Sequence, residues 1–178
     1  MQNLAPEPVK YLIAALLAPD LPLAELRQSL EPEFGPFDFV SEPMSFDVTD
    51  YYENEMGPDL VRVFLSLEAL DDPGKLAACK LKTNELETRL ARPDGTRRAN
   101  LDVGYLDPGK LVLASAKWGW PKVYLSDGIF GDPTLYYRKG RFLPFNWGFP
   151  DFRSGRYEAV LLKIRSLYKA QRKPPAET

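Results

Sequence analysis

The sequence contains no histidine and a single cysteine, Cys79. Without histidine, neither a Ser-His-Asp nor a Cys-His catalytic unit can be assembled from this chain. The commonest zinc sites go with them, because one thiol among carboxylates is too hard a ligand set for a structural zinc. One cysteine permits no disulfide within the chain and fits a reducing compartment. Long apolar runs are missing as well. The longest, Tyr11 to Ala18, is too short to span a bilayer and reads as a buried strand. The first residues lack a basic region followed by an apolar signal core, so a cytoplasmic location without membrane attachment is expected. No G-x-x-x-x-G-K-S/T loop and no G-x-G-x-x-G turn occurs, so P-loop and Rossmann nucleotide sites have no support.

What is present suits one globular domain. The 178 residues are 44% hydrophobic and 27% charged, enough to bury a core. We expect one α+β domain over 1–178, with flexible polar tails at 1–8 and 173–178. The net charge of −2 conceals a split. Residues 1–72 hold 15 acidic and 3 basic side chains, and residues 73–178 hold 10 and 20. The halves could pair within the monomer, between subunits or with partners. A homo-oligomer is compatible with that split.

The elements follow from periodicity and turn residues. Val9–Ala18 is apolar on both faces, as in a central strand covered on both sides. Leu23, Leu26, Leu30 and Phe34 recur at helical spacing, and Gly35 stops that helix. Phe37–Phe46 reads as a strand whose Pro43 implies an edge or a bulge. Leu60–Leu70 alternates, with Val61, Val63, Leu65 and Leu67 on one face and Arg62, Ser66 and Glu68 on the other. Asp72-Pro73 starts a helix with a stripe of Leu76, Cys79, Thr83, Leu86 and Leu90. Strands are expected at Ala99–Tyr105, Lys110–Ala116, Lys122–Leu125 and Thr134–Arg138, the last pairing with Arg141–Leu143 across Lys139-Gly140. A final helix begins near Ser154. The fold expected is therefore α+β: a split-βαβ, ferredoxin-like start extended by further antiparallel strands and a C-terminal helix.

Four stretches could carry chemistry. Asp47 to Gly57 places four carboxylates in nine residues beside Tyr51 and Tyr52. Clustered oxygens suit Mg²⁺, so Asp50, Glu53, Glu55 and Asp102 are candidate ligands; a solvated acidic linker is the plainer alternative. Glu53-x-Glu55 matches the carboxylate pair of tunnel-shaped triphosphate hydrolases, but Gly57 stands where those enzymes have lysine. In the second helix, Asn84 and Glu87 are candidates to face a cleft, because asparagine is a poor mid-helix residue. In the Ala99 strand, Asn100, Asp102 and Gly104 share a face, opposite Leu101, Val103 and Tyr105. Gly104 marks either a bulge or a place where something approaches the sheet closely. Lys117, Tyr124 and Arg138 are cation or tyrosine candidates for clamping phosphate, or else edge residues. Catalytic roles are assigned to Asp102, Lys117 and Glu55, and ligand contacts to Asn84, Asn100, Tyr105, Arg138 and Tyr124.

These stretches also carry a resemblance. Ser45-Phe-Asp47, Thr49 to Gly57, Lys82-Thr-Asn-Glu-Leu-Glu87, Asn100-Leu-Asp102 with Gly104-Tyr105, Leu113-Ala-Ser-Ala-Lys117 and Thr134-Leu-Tyr-Tyr resemble a bacterial domain-of-unknown-function family, number 4416. The resemblance implies a bacterial source and no established activity. Members are sometimes labelled GTP-binding, but this chain has no guanine-reading Asn-Lys-x-Asp. The family pattern has His-Arg where this chain reads Pro121-Lys122, and proline where it has Val103.

Two readings result. One is a protein, enzymatic or not, that binds a phosphorylated small molecule or nucleotide with a divalent cation in an Asp/Glu/Lys-lined cleft. The other is a scaffold that uses its acidic and basic halves. Nucleic acid is disfavoured, since a pI near 5.3 lacks the basic footprint despite Lys163, Arg165, Lys169, Arg172 and Lys173.

Overall fold

The structure, a computed structural model, describes residues 4–172. The expected tail 173–178 and the first three residues of the expected N-terminal tail lie outside the described residues. Among the described residues, nine strands form one antiparallel sheet: β1 (Val9–Leu17), β2 (Phe37–Val40), β3 (Met44–Ser45), β4 (Val61–Asp71), β5 (Ala99–Leu106), β6 (Lys110–Ser115), β7 (Val123–Ser126), β8 (Ile129–Arg138) and β9 (Arg141–Pro144). The helices are α1 (Leu23–Phe34), α2 (Glu53–Met56), α3 (Leu76–Arg89), α4 (Pro150–Arg153) and α5 (Glu158–Gln171).

The path through the sheet is β2-β4-β1-β5-β6-β8-β7, with β3 also on β4 and β9 also on β8. Its first four members, joined through α1 and α3, reproduce the split-βαβ arrangement. The fold is α+β, as the element order implies. Every residue of β1 is buried, because both faces of the sheet are covered. Ile13, Ala15, Val63, Leu101 and Val103 pack with Leu26 and Leu30 of α1 and Leu76 and Leu86 of α3. On the other face Leu12, Ala14 and Phe64 pack with Tyr157 and with Leu161, Ile164 and Tyr168 of α5.

Three boundaries differ from the sequence reading, each for a local reason. The single strand expected over Phe37–Phe46 is two, because Ser41 breaks it. The Ser41 hydroxyl accepts the Phe64 N–H at 2.9 Å and takes over one ladder bond. β8 begins at Ile129 rather than at the expected Thr134 and runs through Gly131-Asp132-Pro133. The register with β6 slips opposite Pro133, which accommodates a residue that has no N–H to donate. The last helix begins at Glu158, after the short α4 and a turn at Gly155 with φ +77°. The acidic stretch folds back over one end of the sheet. Met56 anchors it, fully buried with Leu16, Ala18 and Leu60 beneath Phe46 and Tyr52.

The feature that positions the site is a fork. β5 and β6 pair only over Gly104–Leu106 and Leu111–Leu113, and then part. Gly104 is the pivot: a Cβ there would lie 2.4 Å from the Val112 carbonyl oxygen and 2.6 Å from Leu113 Cδ2. What approaches Gly104 closely is therefore β6 itself. Past the fork, α3 side chains serve the free edge of β5. Glu87 accepts the Leu101 N–H at 2.6 Å, and Lys80 donates to the Leu101 carbonyl at 2.8 Å, both buried.

Candidate functional site

A cavity of about 580 Å³ opens at this fork. Its lining comes from the folded-back acidic segment (Thr49, Tyr51, Tyr52, Glu55), α3 (Lys80, Asn84, Glu87), β5 (Asn100, Asp102), Ser115 at the end of β6 with Lys117 just after it, and the α4 region (Phe149 to Phe152). Arg62, Arg97, Lys122 and Asp132 complete the polar wall.

The centre of the polar wall is Arg62, whose side chain is 3% exposed. Its Nη1 donates to the Ala14 carbonyl at 2.7 Å and to Asp102 Oδ2 at 3.3 Å, and its Nη2 donates to Asp151 Oδ2 at 3.2 Å. The guanidinium lies over the rings of Phe46 and Phe152, 5.4 and 6.0 Å from their centroids. Burial works against its charge, but the Asp102 and Asp151 carboxylates with Tyr157 outweigh that and raise its pKa. From Arg62 the hydrogen bonds run outward. Asn100 donates to Asp102 Oδ2 at 2.9 Å, and Arg97 donates to Asn100 Oδ1 at 3.0 Å. Arg97 then grips both oxygens of Glu55 at 2.6 Å, a bidentate geometry that gives strong, directional pairing. That clamp lowers the Glu55 pKa.

Two carboxyls behave oppositely. Burial raises the pKa of Glu87, against the pull of Lys80, the Leu101 N–H and Arg97. Burial likewise raises that of Asp132, against Lys122 at 3.7 Å. Lys122 also donates to Ser115 Oγ at 2.8 Å. At the mouth, Lys117 Nζ donates to the Tyr51 hydroxyl at 2.8 Å and lowers its pKa, while burial pushes that of Tyr52 up to about 12. Five cations and five carboxylates line the cavity. Among the described residues, Lys117 alone of those cations has no carboxylate within ion-pair distance.

Of the residues predicted from sequence, Glu55, Asn84, Asn100, Asp102 and Lys117 converge on the cavity. The others do not. Asp50 and Glu53 are exposed outside the lining, so the set Asp50, Glu53, Glu55 and Asp102 does not gather. Glu55 and Asp102 are instead bound by arginines, and no group of three metal-ligating side chains occurs among the described residues. Tyr105 points to the opposite face of β5 and packs edge-on against Tyr11, 6.1 Å between centroids. Tyr124 is exposed on β7, and Arg138 lies at the β8–β9 hairpin, both outside the lining.

A model of the family described as Domain of unknown function (DUF4416) matches residues 7–168. The chain belongs to this family. No curated protein and no solved structure matches it. Five of the six stretches that resemble DUF4416 contribute to the cavity wall; the exception is Thr134-Leu-Tyr-Tyr. Lys122 faces the cavity as well.

Sequence reasoning missed Arg62, Lys80, Arg97, Asp132 and Asp151 as site residues. One signal was available. Arg62 is one of only three basic residues in the first 72, set within an apolar strand.

Proposed function

We propose that this DUF4416 protein binds a phosphorylated small molecule or a nucleotide in the fork cavity. The observation that carries the reading is Lys117: a cation at the mouth that has no carboxylate partner among the described residues, beside a cavity whose other cations are already paired. A phosphate would complete that charge, and the Asn84 side chain on α3 offers a neutral donor. Phe46, Tyr52, Phe149 and Phe152 supply apolar wall for a flat group. The volume lies within the range of small-molecule sites. A divalent cation would arrive with the phosphates, since Glu55 and Asp102 are held by Arg97 and Arg62. Should a reaction follow, Glu87 and Asp132 suit proton transfer better than Glu55, whose clamp makes it a weak base. The scaffold reading is less favoured because the acidic half spends its charge internally. Asp20 and Glu25 pair with Arg98, Glu33 with Lys82 and Arg89, Asp47 with Arg156, and Glu55 with Arg97.

A thermal-shift screen of nucleotides and sugar phosphates, with and without Mg²⁺, tests this. A ligand at 100 times its Kd adds about 2.7 kcal/mol, a Tm rise of roughly 5–10 °C for a chain of this size. Lys117→Ala should abolish most of it, and Lys139→Ala at the distant hairpin should not. No response to any phosphorylated compound, or a full response in Lys117→Ala, would sink the proposal.

A further inference from the structure

The exposed apolar surface is concentrated at one edge of the sheet. β7 closes the path of strands, and all four of its residues are exposed. Trp118 and Trp120, just before it, are 75% and 77% exposed, and Val123 and Tyr124 are 61% and 60% exposed. The aromatic surface continues along the same edge. Trp147 donates its indole N–H to the Pro133 carbonyl of β8 and packs against Trp120 at 5.7 Å and Phe145 at 4.9 Å. Phe149 follows, half exposed. Weighted by their exposure, Trp118, Trp120, Val123, Tyr124, Leu125, Trp147 and Phe149 present ~800 Å² at roughly 200 Å² per large side chain. That is about what each partner contributes to a standard stable interface.

The charge pattern indicates what covers this surface. Within Trp118–Ser126 the only charged side chain is Lys122. It is turned inward to Ser115 and Asp132, and 12% of its side chain is exposed. Inside the stretch nothing would attract a charged partner or repel a copy of itself; the exposed Lys117 and Asp127 lie just outside it. The opposite edge of the sheet is guarded. β2 follows Pro36, carries Asp38, which is tied to Lys10 and Ser66, and ends shortly before Pro43. β7 itself has neither charge nor proline to discourage strand addition. Its register against β8 slips once, between Tyr124 and Ser126, so the ladder it offers is short and side chains supply most of the contact.

We infer that the β7 edge is a homodimer interface, on which a second copy of this chain packs its own Trp118, Trp120 and β7 across a two-fold axis. A two-fold axis makes the contact self-complementary and closed. Phe149 also borders the fork cavity, but the rest of this surface lies outside the lining and stands whether or not that cavity binds a phosphate. Sedimentation of the full chain over a range of concentrations, together with hydrogen exchange, tests it. The wild type should move from 20.2 kDa toward twice that mass as concentration rises, and its β7 amides should become slower to exchange in step. Val123→Lys and Trp120→Glu, both on exposed positions, should each raise the dimer Kd at least tenfold with an unchanged far-UV spectrum. A single-chain mass at every concentration would overturn the inference, even if the tryptophans then responded to added lipid vesicles. A dimer that persists in both variants, or open-ended growth beyond two copies, would overturn it equally.

Discussion

Replacing Arg62 by methionine removes the charge at the centre of the polar wall while keeping most of the volume. Asp151, 3% exposed at its side chain, would retain only the Tyr157 hydroxyl, and Asp102 only the Asn100 amide. Breaking a buried ion pair from one side costs about 3–5 kcal/mol, because a carboxylate is left without compensation. At roughly 2–4 °C per kcal/mol for a chain of this length, Tm should fall by about 6–20 °C. The deficit should also depend on pH, with a sign that can be worked out. A buried carboxylate without a partner takes up a proton rather than remain charged. The variant's folded state then holds a proton that the unfolded chain, titrating near ~3.9, has already released. The variant's deficit relative to wild type is therefore smallest in acid and grows as pH rises. Thermal melts followed by circular dichroism at pH 5 and pH 8 measure both effects, and Arg62→Met with Asp151→Asn should recover part of the loss at pH 8. A drop under 2 °C, or one equally large at both pH values and untouched by the second substitution, would refute the reasoning.

Other consequences follow from the same geometry. Gly104→Ala forces β6 away from β5 at the pivot, an overpacking cost of about 1–3 kcal/mol; a melt within 1 °C of wild type would show that the pivot is not tight. Glu87→Gln tests the buried carboxyl. A raised folded pKa gives Glu87 a stabilising contribution that is complete below its unfolded value and lost as pH rises through the folded one. The Tm of wild type minus that of the variant should therefore shrink from pH 4 to pH 7, and growth over that interval would contradict it. Glu55 has the opposite sign. Its contribution is present above the unfolded pKa and lost as pH falls through the lowered one, so Glu55→Gln should melt closer to wild type at pH 3 than at pH 7.

Much of the fold was legible because its signals are local. The unbroken apolar run of β1, the helical spacing of Leu23 to Phe34 and the Lys139-Gly140 turn each declare one element within a few residues. The site was legible in part for a similar reason. Asn84, Asn100 and Asp102 are polar residues in elements that disfavour them, which marks them without reference to distant neighbours. Asp50 and Glu53 misled because adjacency in a loop does not imply convergence: alternate side chains of a folded-back turn face opposite ways. Tyr105 misled because its strand is buried on both faces, and the side without Asn100 and Asp102 is core.

The sequence by itself determined the α+β class and most of the element order, since those depend on residue types and short-range periodicity. Only the tertiary structure decided that Arg62 and Ser66, on the polar face of β4, are interior. Alternation separates the two faces of a strand but does not say what covers each. Here Phe64 packs with Phe152 and Tyr157, which encloses Arg62 beside them and makes it the hub of the cavity. The fork, too, is a long-range outcome. It exists because Gly104 lets β6 press close at one point while Glu87 and Lys80, far away in the chain, satisfy the backbone of β5 where β6 has turned aside.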